Sequence, residues 1–161
     1  MVQLRRAELA DIPVIAGHRA GMFADMGILP ATERDALIAL TVDYLRTALP
    51  AEEYLGWLAV PDDAPASVIG GAGVQRRRAL PFPSGSGGQQ RIATGRQAIV
   101  LNVYTEPAWR RRGVARTLMQ AVLAWARESG VESLVLHASE QGRTLYEQLG
   151  FRATNEMRLG G

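Results

Sequence analysis

The feature that most constrains the fold is a predicted strand, turn and helix between residues 97 and 130. Gln97 to Thr105 is a continuous run rich in β-branched and aliphatic residues, which predicts a strand covered on both faces. Pro107 ends the run, and Gly130 is placed to stop the helix that follows. The apolar residues that share one face of this helix are Val114, Leu118, Val122 and Trp125. The chain must therefore build a sheet on which at least one helix packs.

The other predicted elements surround this segment in a definite order. The elements before it are a strand at 2–6, helices beginning near Asp11 and Thr32, strands at 54–60 and 67–75, and a mobile Pro/Gly/Ser-rich loop at about 80–96. The elements after it are a strand at 134–137, a short helix at 140–148, and a final strand pair around Phe151 and 157–159. This order predicts one α/β domain over residues 1–161, with a mixed sheet and helices packed on it.

Composition excludes several kinds of site and location. Cysteine is absent and only His18 and His137 could supply imidazole ligands, so we expect no metal. No stretch approaches the roughly 18 apolar residues of a membrane span, and Arg5, Arg6 and Glu8 interrupt the amino-terminal segment where a signal peptide would be apolar. We therefore expect a cytoplasmic protein that does not bind membranes.

The turn from residue 104 to residue 116 is a candidate anion site. It follows the predicted strand and opens the predicted helix, whose first amide groups lack intrahelical partners and lie at the positive end of the helix dipole. Gly113 and Ala115 keep side chains from blocking these amides, and Arg110–Arg112 and Arg116 add positive charge. The alternative is a turn glycine beside solvated arginines. A dinucleotide-binding fold fits less well, because the G-x-G-x-x-G pattern is incomplete and the loop lies past the middle of the chain.

Two motifs in this half of the chain resemble those of the GNAT superfamily of N-acetyltransferases. Arg110-x-x-Gly113-x-Ala115 resembles the pyrophosphate motif (Q or R)-x-x-G-x-(G or A), and Leu145-Tyr146-x-x-x-Gly150-Phe151 resembles the family's L-Y-x-x-x-G-F signature. The resemblance covers residues 97–153 closely. It implies a mixed, mostly antiparallel sheet of six or seven strands, about four flanking helices and a splayed parallel strand pair. It also implies acetyl-coenzyme A (acetyl-CoA) as cosubstrate and an amine as acceptor, and it allows a homodimer.

The resemblance also assigns roles to individual residues. Tyr146 matches the tyrosine that protonates the departing thiolate, and Val103 or Thr105 would supply a backbone N–H that polarises the thioester. The residues assigned to the coenzyme are Val103, Tyr104, Thr105, Arg110, Arg111, Arg112, Gly113, Val114, Ala115, Arg116, Ser139 and Tyr146. In some relatives, the residue twelve positions before the tyrosine is a glutamate that acts as the general base. The corresponding residue in this chain is Leu134. Glu106, Glu140 and His137 remain candidates for the base, each with an ordinary structural alternative.

The acceptor pocket and two rival functions stay open at this point. Residues of the first two helices that we expect at the acceptor pocket, or alternatively in ordinary core packing, are Arg19, Met22, Phe23, Met26 and Tyr44. One rival is a protein that binds acetyl-CoA without turnover. The other is a nucleic-acid-binding module built on the arginine triplets 76–78 and 110–112. The sixteen acidic residues disfavour this alternative, because they nearly balance the positive charge of the arginines.

Overall fold

The fold is described from a computed structural model that covers residues 1–85 and 88–159. Its strands are β1 (Val2–Arg6), β2 (Tyr54–Pro61), β3 (Gly70–Arg78), β4 (Phe82–Ser84), β5 (Arg91–Ala93), β6 (Arg96–Thr105) and β7 (Ser133–Leu136). Its helices are α1 (Ile12–Asp25), α2 (Arg34–Ala48), α3 (Val114–Glu128) and α4 (Arg143–Gln148). Both elements of the strand–turn–helix segment are present, as β6 and α3.

Five strands form the central sheet in the order β1-β2-β3-β6-β7. Every neighbouring pair is antiparallel except β6 and β7, which are parallel. The predicted fold class, a mostly antiparallel sheet with one parallel pair and four helices, is confirmed. The sheet has five strands where six or seven were expected. One reason is that β4 and β5 pair only with each other.

The carboxyl-terminal segment supplies the other reason for the smaller sheet. We predicted strands around Phe151 and 157–159, but residues 151–159 contain no strand. The side chains from Arg152 to Leu159 are all exposed, and Thr154, Asn155 and Glu156 interrupt any apolar alternation. A strand there would have no buried face to pack.

The segment at 80–96, predicted as a loop, contains the small β4–β5 hairpin. Ala93 is fully buried, and the Glu132 carboxylate accepts hydrogen bonds of 2.9–3.0 Å from the amides of Thr94 and Arg96. These contacts attach the end of the hairpin to the start of β7. Ser86 and Gly87, within the same predicted loop, lie outside the described residues.

The alternation of side chains along β2 divides the core between two sets of helices. Leu55 and Trp57 face one cluster, which includes Leu118 and Val122 of α3. Leu58 faces the opposite cluster, which includes residues of α1 and α2. Leu118 is fully buried, which contributes about 1.5–3 kcal/mol of stability. The sheet is thus covered by helices on both faces.

A candidate acetyl-CoA cleft

The parallel strand β7 pairs with only the first part of β6. Their pairing runs from Gln97 with Ser133 to Val100 with Leu136, where β7 ends. β6 continues to Thr105, so the side of residues 101–105 that faces away from β3 has no strand partner in the described chain. An open backbone edge of this kind can accept an extended ligand as an added strand.

A bulge at Asn102 shapes the part of β6 beside this opening. Asn102 has a φ of 55°, and the register with β3 shifts between Gly71 and Gly73. Its buried side chain is fully engaged: Nδ2 donates to the Tyr54 hydroxyl at 3.1 Å, and Oδ1 accepts from Arg19 Nη1 at 2.7 Å. Burial raises the pKa of Tyr54 to about 12, so its phenol stays neutral. The bulge therefore fixes a polar cluster under the strand.

The turn before α3 leaves the amino terminus of the helix open. Gly113 is the N-cap residue with a φ of 83°, and no side chain caps the helix there. A Cβ built on Gly113 would meet no atom within 4 Å. Arg111 also has a positive φ, of 61°. The first amides of α3 therefore face open space at the positive end of the helix dipole, which suits a phosphate group.

The arginines around this turn contact different partners. Arg110 Nε donates to the Thr105 carbonyl at 3.0 Å, and its guanidinium pairs with Asp25 of α1. The Arg112 guanidinium lies over the Trp109 ring, 5.2 Å from its centroid. Arg116 donates to the Gln148 side chain of α4. Arg110 thus joins the turn to β6 and α1.

Tyr146 lies on α4, which is held close to the end of β7 by a tight turn. The amide of Gly142 donates to Ser139 Oγ at 3.2 Å, and a Cβ at Gly142 would come within 2.7 Å of the Tyr146 ring. Phe151 packs edge-on against Tyr146 with ring centroids 6.1 Å apart. Burial raises the pKa of Tyr146, so its phenol is protonated at neutral pH and can donate a proton.

These elements enclose one cleft of about 840 Å³. Its volume lies within the usual range of about 300–1,000 Å³ for small-molecule sites. The coenzyme-binding residues predicted from the motifs that line it are Val103, Tyr104, Thr105, Arg110, Arg111, Gly113, Val114, Ala115, Arg116, Ser139 and Tyr146. Arg112, predicted with them, is not on its wall. The open β6 edge, the uncapped helix and Tyr146 thus border one cleft whose volume is usual for a small-molecule site.

Four of the five residues expected at the acceptor pocket line the cleft, and one does not. Those on the wall of the cleft are Arg19, Met22 and Phe23, from α1, and Met26, the residue that follows this helix. Tyr44 is not on the wall; it is partly exposed on α2, and its hydroxyl accepts a hydrogen bond from Gln75 Nε2 at 2.9 Å. Of the first two helices, α1 therefore contributes to the cleft wall and α2 does not.

Only one of the three candidate bases lines the cleft. His137 is on its wall, with Nδ1 3.5 Å from Glu156 Oε1. Glu106 and Glu140 are not on the wall. Glu106 Oε1 instead lies 3.2 Å from Nε2 of the buried His18, although without the alignment of a hydrogen bond. Burial lowers the pKa of His18, and the charge of Glu106 opposes that shift.

Sequence reasoning missed three residues that shape this site: Asn102, Tyr54 and Asp25. A signal existed for Asn102, because it is the one polar residue inside the apolar run 98–103 and asparagine tolerates a positive φ better than most residues. Asp25 gave no local signal, since its partner Arg110 is 85 residues away. Tyr54 looks from sequence like any other residue of a buried strand.

The described residues contain neither a metal-binding cluster nor a helix suited to span a membrane. Residues 1–85 and 88–159 contain no group of three or more histidine, aspartate or glutamate side chains arranged to hold a metal ion. None of the helices in the described part of the chain has the length and apolar character that a membrane span requires.

The two arginine triplets lie in different parts of the fold. The first triplet, 76–78, ends β3, where Arg76 pairs with Glu52 at 3.7 Å, and the second, 110–112, lies in the turn at the cleft.

Comparison with known proteins identifies the family. The model of the acetyltransferase (GNAT) family matches residues 28–151. A GCN5-related N-acetyltransferase from Ralstonia eutropha JMP134 is 28% identical, with a TM-score of 0.86 over 99% of this chain and 98% of that chain. A predicted acetyltransferase from Clostridium acetobutylicum, solved with acetyl-CoA, is 26% identical, with a TM-score of 0.78 over 100% of this chain and 96% of that chain.

More distant similarity is confined to the fold. An aminoglycoside N-acetyltransferase in complex with CoA is 20% identical, with a TM-score of 0.64 over 100% of this chain and 94% of that chain. No functionally curated protein matches the sequence significantly. The acyltransferase predicted from the two motifs is confirmed by the family match and the first two structures: the chain belongs to the GNAT family of acetyltransferases.

Proposed function

We propose that the protein transfers the acetyl group of acetyl-CoA to a primary amine of a small molecule, by direct attack of the amine while both substrates are bound. One observation carries this proposal. The open edge of β6, the uncapped start of α3 and the phenol of Tyr146 face the same cleft. Each of the three suits a different part of acetyl-CoA: the pantetheine arm, the diphosphate and the thioester.

The amides that open α3 hold the diphosphate in this proposal. Phosphate groups gain hydrogen bonds from free amides and stabilisation from the helix dipole. Gly113 lets the ligand approach the backbone, because no side chain covers it. Arg111 and Arg116, both on the cleft wall, add positive charge. Arg110 acts indirectly, since its bonds to Thr105 and Asp25 hold the turn in place.

Residues 101–105 hold the pantetheine arm and orient the thioester. The bound cosubstrate supplies an acetyl group activated as a thioester. A backbone N–H at Val103 or Thr105 polarises its carbonyl, and a preorganised donor of this kind is worth about 3–4 kcal/mol in barrier reduction. The Asn102 bulge fixes this backbone, because its side chain bonds to both Tyr54 and Arg19.

Three proton movements accompany the transfer. As the C–N bond forms and the C–S bond breaks, Tyr146 donates its proton to the sulfur, and the attacking nitrogen gives up a proton that restores the phenol. The incoming ammonium must first lose a proton. Asp25 and His137 are the described cleft residues able to accept it, and Asp25 is engaged by Arg110. His137 is therefore the candidate base in this proposal.

Amine-dependent release of CoA tests the proposed function. The protein is incubated with acetyl-CoA and a broad panel of primary amines, and free thiol is measured. We expect release above the rate without amine for at least one class of acceptor. Acetyl-CoA at 100 times its Kd should also raise the melting temperature by about 5–10 °C, since binding then adds about 2.7 kcal/mol of stability.

The two readouts separate catalysis from binding. A melting shift without amine-dependent release across the panel would favour a protein that binds the coenzyme without turning it over. The absence of both would contradict the assignment of the cleft to acetyl-CoA. Release that amines accelerate, together with the melting shift, supports the transfer proposed here.

A further inference from the structure

Arg19 brings an unneutralised positive charge into the acceptor side of the cleft. It is half-buried on the wall formed by α1, and burial lowers its pKa. Nη1 donates to Asn102 Oδ1 at 2.7 Å, a neutral amide acceptor. Within residues 1–85 and 88–159, no carboxylate oxygen lies within 4.0 Å of the Arg19 guanidinium. A partly desolvated cation without a counterion costs free energy.

Two arginines that pair with residues at the two ends of α1 have the carboxylate that Arg19 lacks. Arg5 makes two hydrogen bonds of 2.7 Å to Asp11, and Arg110 pairs with Asp25. The nearby acid Glu106 contacts His18. The acids of α1 and of the end of β6 are thus already engaged, and Arg19 is left for a group that is not part of the described chain.

The position of Arg19 separates it from the proposed diphosphate site. Asp25, through its pair with Arg110, marks the end of α1 nearest the turn that opens α3. Arg19 precedes Asp25 by six residues, which is about 9 Å along a helix. Its contact with Asn102 places it beside Val103, where the proposed thioester lies. Arg19 is therefore at the reacting end of the cleft and not at the phosphate end.

The surroundings of Arg19 fix the guanidinium and reduce competition from water. The Phe23 ring covers one face, with the guanidinium carbon 4.8 Å from the ring centroid. Asn102 holds Nη1, and Met22 and Met26 supply apolar wall nearby. A guanidinium offers five N–H donors in a planar fork, and the one described hydrogen bond uses a single nitrogen. The free donors suit a carboxylate or phosphate, both of which pair bidentately with arginine.

We propose that the acceptor is an amine that also carries an anionic group, a carboxylate or a phosphate, which pairs with Arg19 while the amine attacks the thioester. This rests on the proposed function and specifies its substrate class. The anion would neutralise the buried charge and hold the amine in place. Arg19 is then a specificity-determining residue, with its effect on KM of the acceptor larger than its effect on kcat.

Matched acceptor pairs test this inference. The pairs are β-alanine with β-alaninamide, glycine with glycinamide, and 2-aminoethyl phosphate with ethanolamine, assayed by CoA release. We expect kcat/KM to be about 10- to 100-fold higher for the anionic member of at least one pair, as for a charge-assisted contact. The carboxylate and phosphate pairs distinguish the two kinds of anion. In Arg19→Gln this ratio should fall to within about three-fold of one, while any change in KM for acetyl-CoA should be the same with both members of a pair.

Two control variants guard against loss of folding. Arg19→Lys keeps the charge and should retain part of the preference, whereas Arg46→Gln, on the exposed surface of α2, should retain all of it. Equal kcat/KM within every pair, or equal losses for both members in Arg19→Gln, would overturn the inference.

A binding measurement decides the inference independently of turnover. If no pair is acetylated although acetyl-CoA binds, the same compounds are titrated calorimetrically into the CoA complex, which measures recognition of the anion separately from transfer of the acetyl group. Tighter binding of anionic members that disappears in Arg19→Gln would uphold the inference, and indifference to charge would overturn it.

Discussion

Tyr146→Phe is expected to lower kcat by about 10²- to 10⁴-fold, the contribution typical of a positioned general acid. The Kd for acetyl-CoA should change little, because phenylalanine keeps the ring that packs against Phe151 and Gly142. Only the hydroxyl is lost, and with it the proton for the departing thiolate. Burial raises the pKa of Tyr146, so the wild-type phenol is protonated throughout the neutral range where the comparison is made. Steady-state kinetics together with calorimetric titration of acetyl-CoA give the two quantities.

Tyr44→Phe is the matched control for this prediction. It removes a phenol from α2, away from the cleft, where the hydroxyl accepts one hydrogen bond from Gln75. We expect its kcat to remain close to that of the wild type. A Tyr146→Phe enzyme that loses coenzyme affinity in proportion to kcat, or that keeps its kcat, would contradict the role of Tyr146 as the acid.

Gly113→Asp is expected to raise the Kd for acetyl-CoA by about 100-fold or more. The new carboxylate would face the proposed diphosphate, and like charges brought together cost several kcal/mol. The protein itself should fold, because a Cβ at this position meets no atom within 4 Å and aspartate tolerates the positive φ of 83° better than most residues. Calorimetric titration measures the loss of affinity.

Gly113→Asn separates the charge from the shape of the new side chain. Asparagine has nearly the same size and the same tolerance of a positive φ, so we expect a Kd about ten-fold lower than that of the aspartate variant. Without coenzyme, the aspartate variant should be thermally more stable than the asparagine variant, because a negative charge at a helix amino terminus is stabilising. Gly130→Asp, at the carboxyl end of α3, should leave the Kd unchanged. Equal affinities for the aspartate and asparagine variants at position 113 would argue against a phosphate at this turn.

The segment from β6 through α3 could be predicted because local rules dictate it. The apolar run ends at a proline, Gly113 takes a left-handed conformation, and Leu118 and Val122 recur one turn apart on the buried face. The motifs at residues 110–115 and 145–151 identify the family, which a predicted strand and helix alone cannot do. Prediction was therefore most complete where sequence neighbours are also structural neighbours.

The details that could not be predicted depend on contacts between distant parts of the chain. Arg110 is predicted from sequence to bind the coenzyme, but no local pattern predicts its pair with Asp25, which is 85 residues away. The bond between Arg19 and Asn102 joins residues 83 positions apart, so no local pattern reveals it. The expected strand at 157–159 is missing because its two apolar side chains, Met157 and Leu159, pack against no other element and are almost fully exposed.

The central claim is that the amides opening α3 bind the diphosphate of acetyl-CoA and so direct the thioester along β6 toward Tyr146. A crystal structure of the complex with acetyl-CoA measures this most directly. We expect phosphate oxygens within hydrogen-bond distance of backbone nitrogens between Arg111 and Arg116, with the thioester beside Val103–Thr105 and its sulfur next to the Tyr146 hydroxyl. A coenzyme bound elsewhere, with the start of α3 capped by the protein's own side chains, would contradict the account.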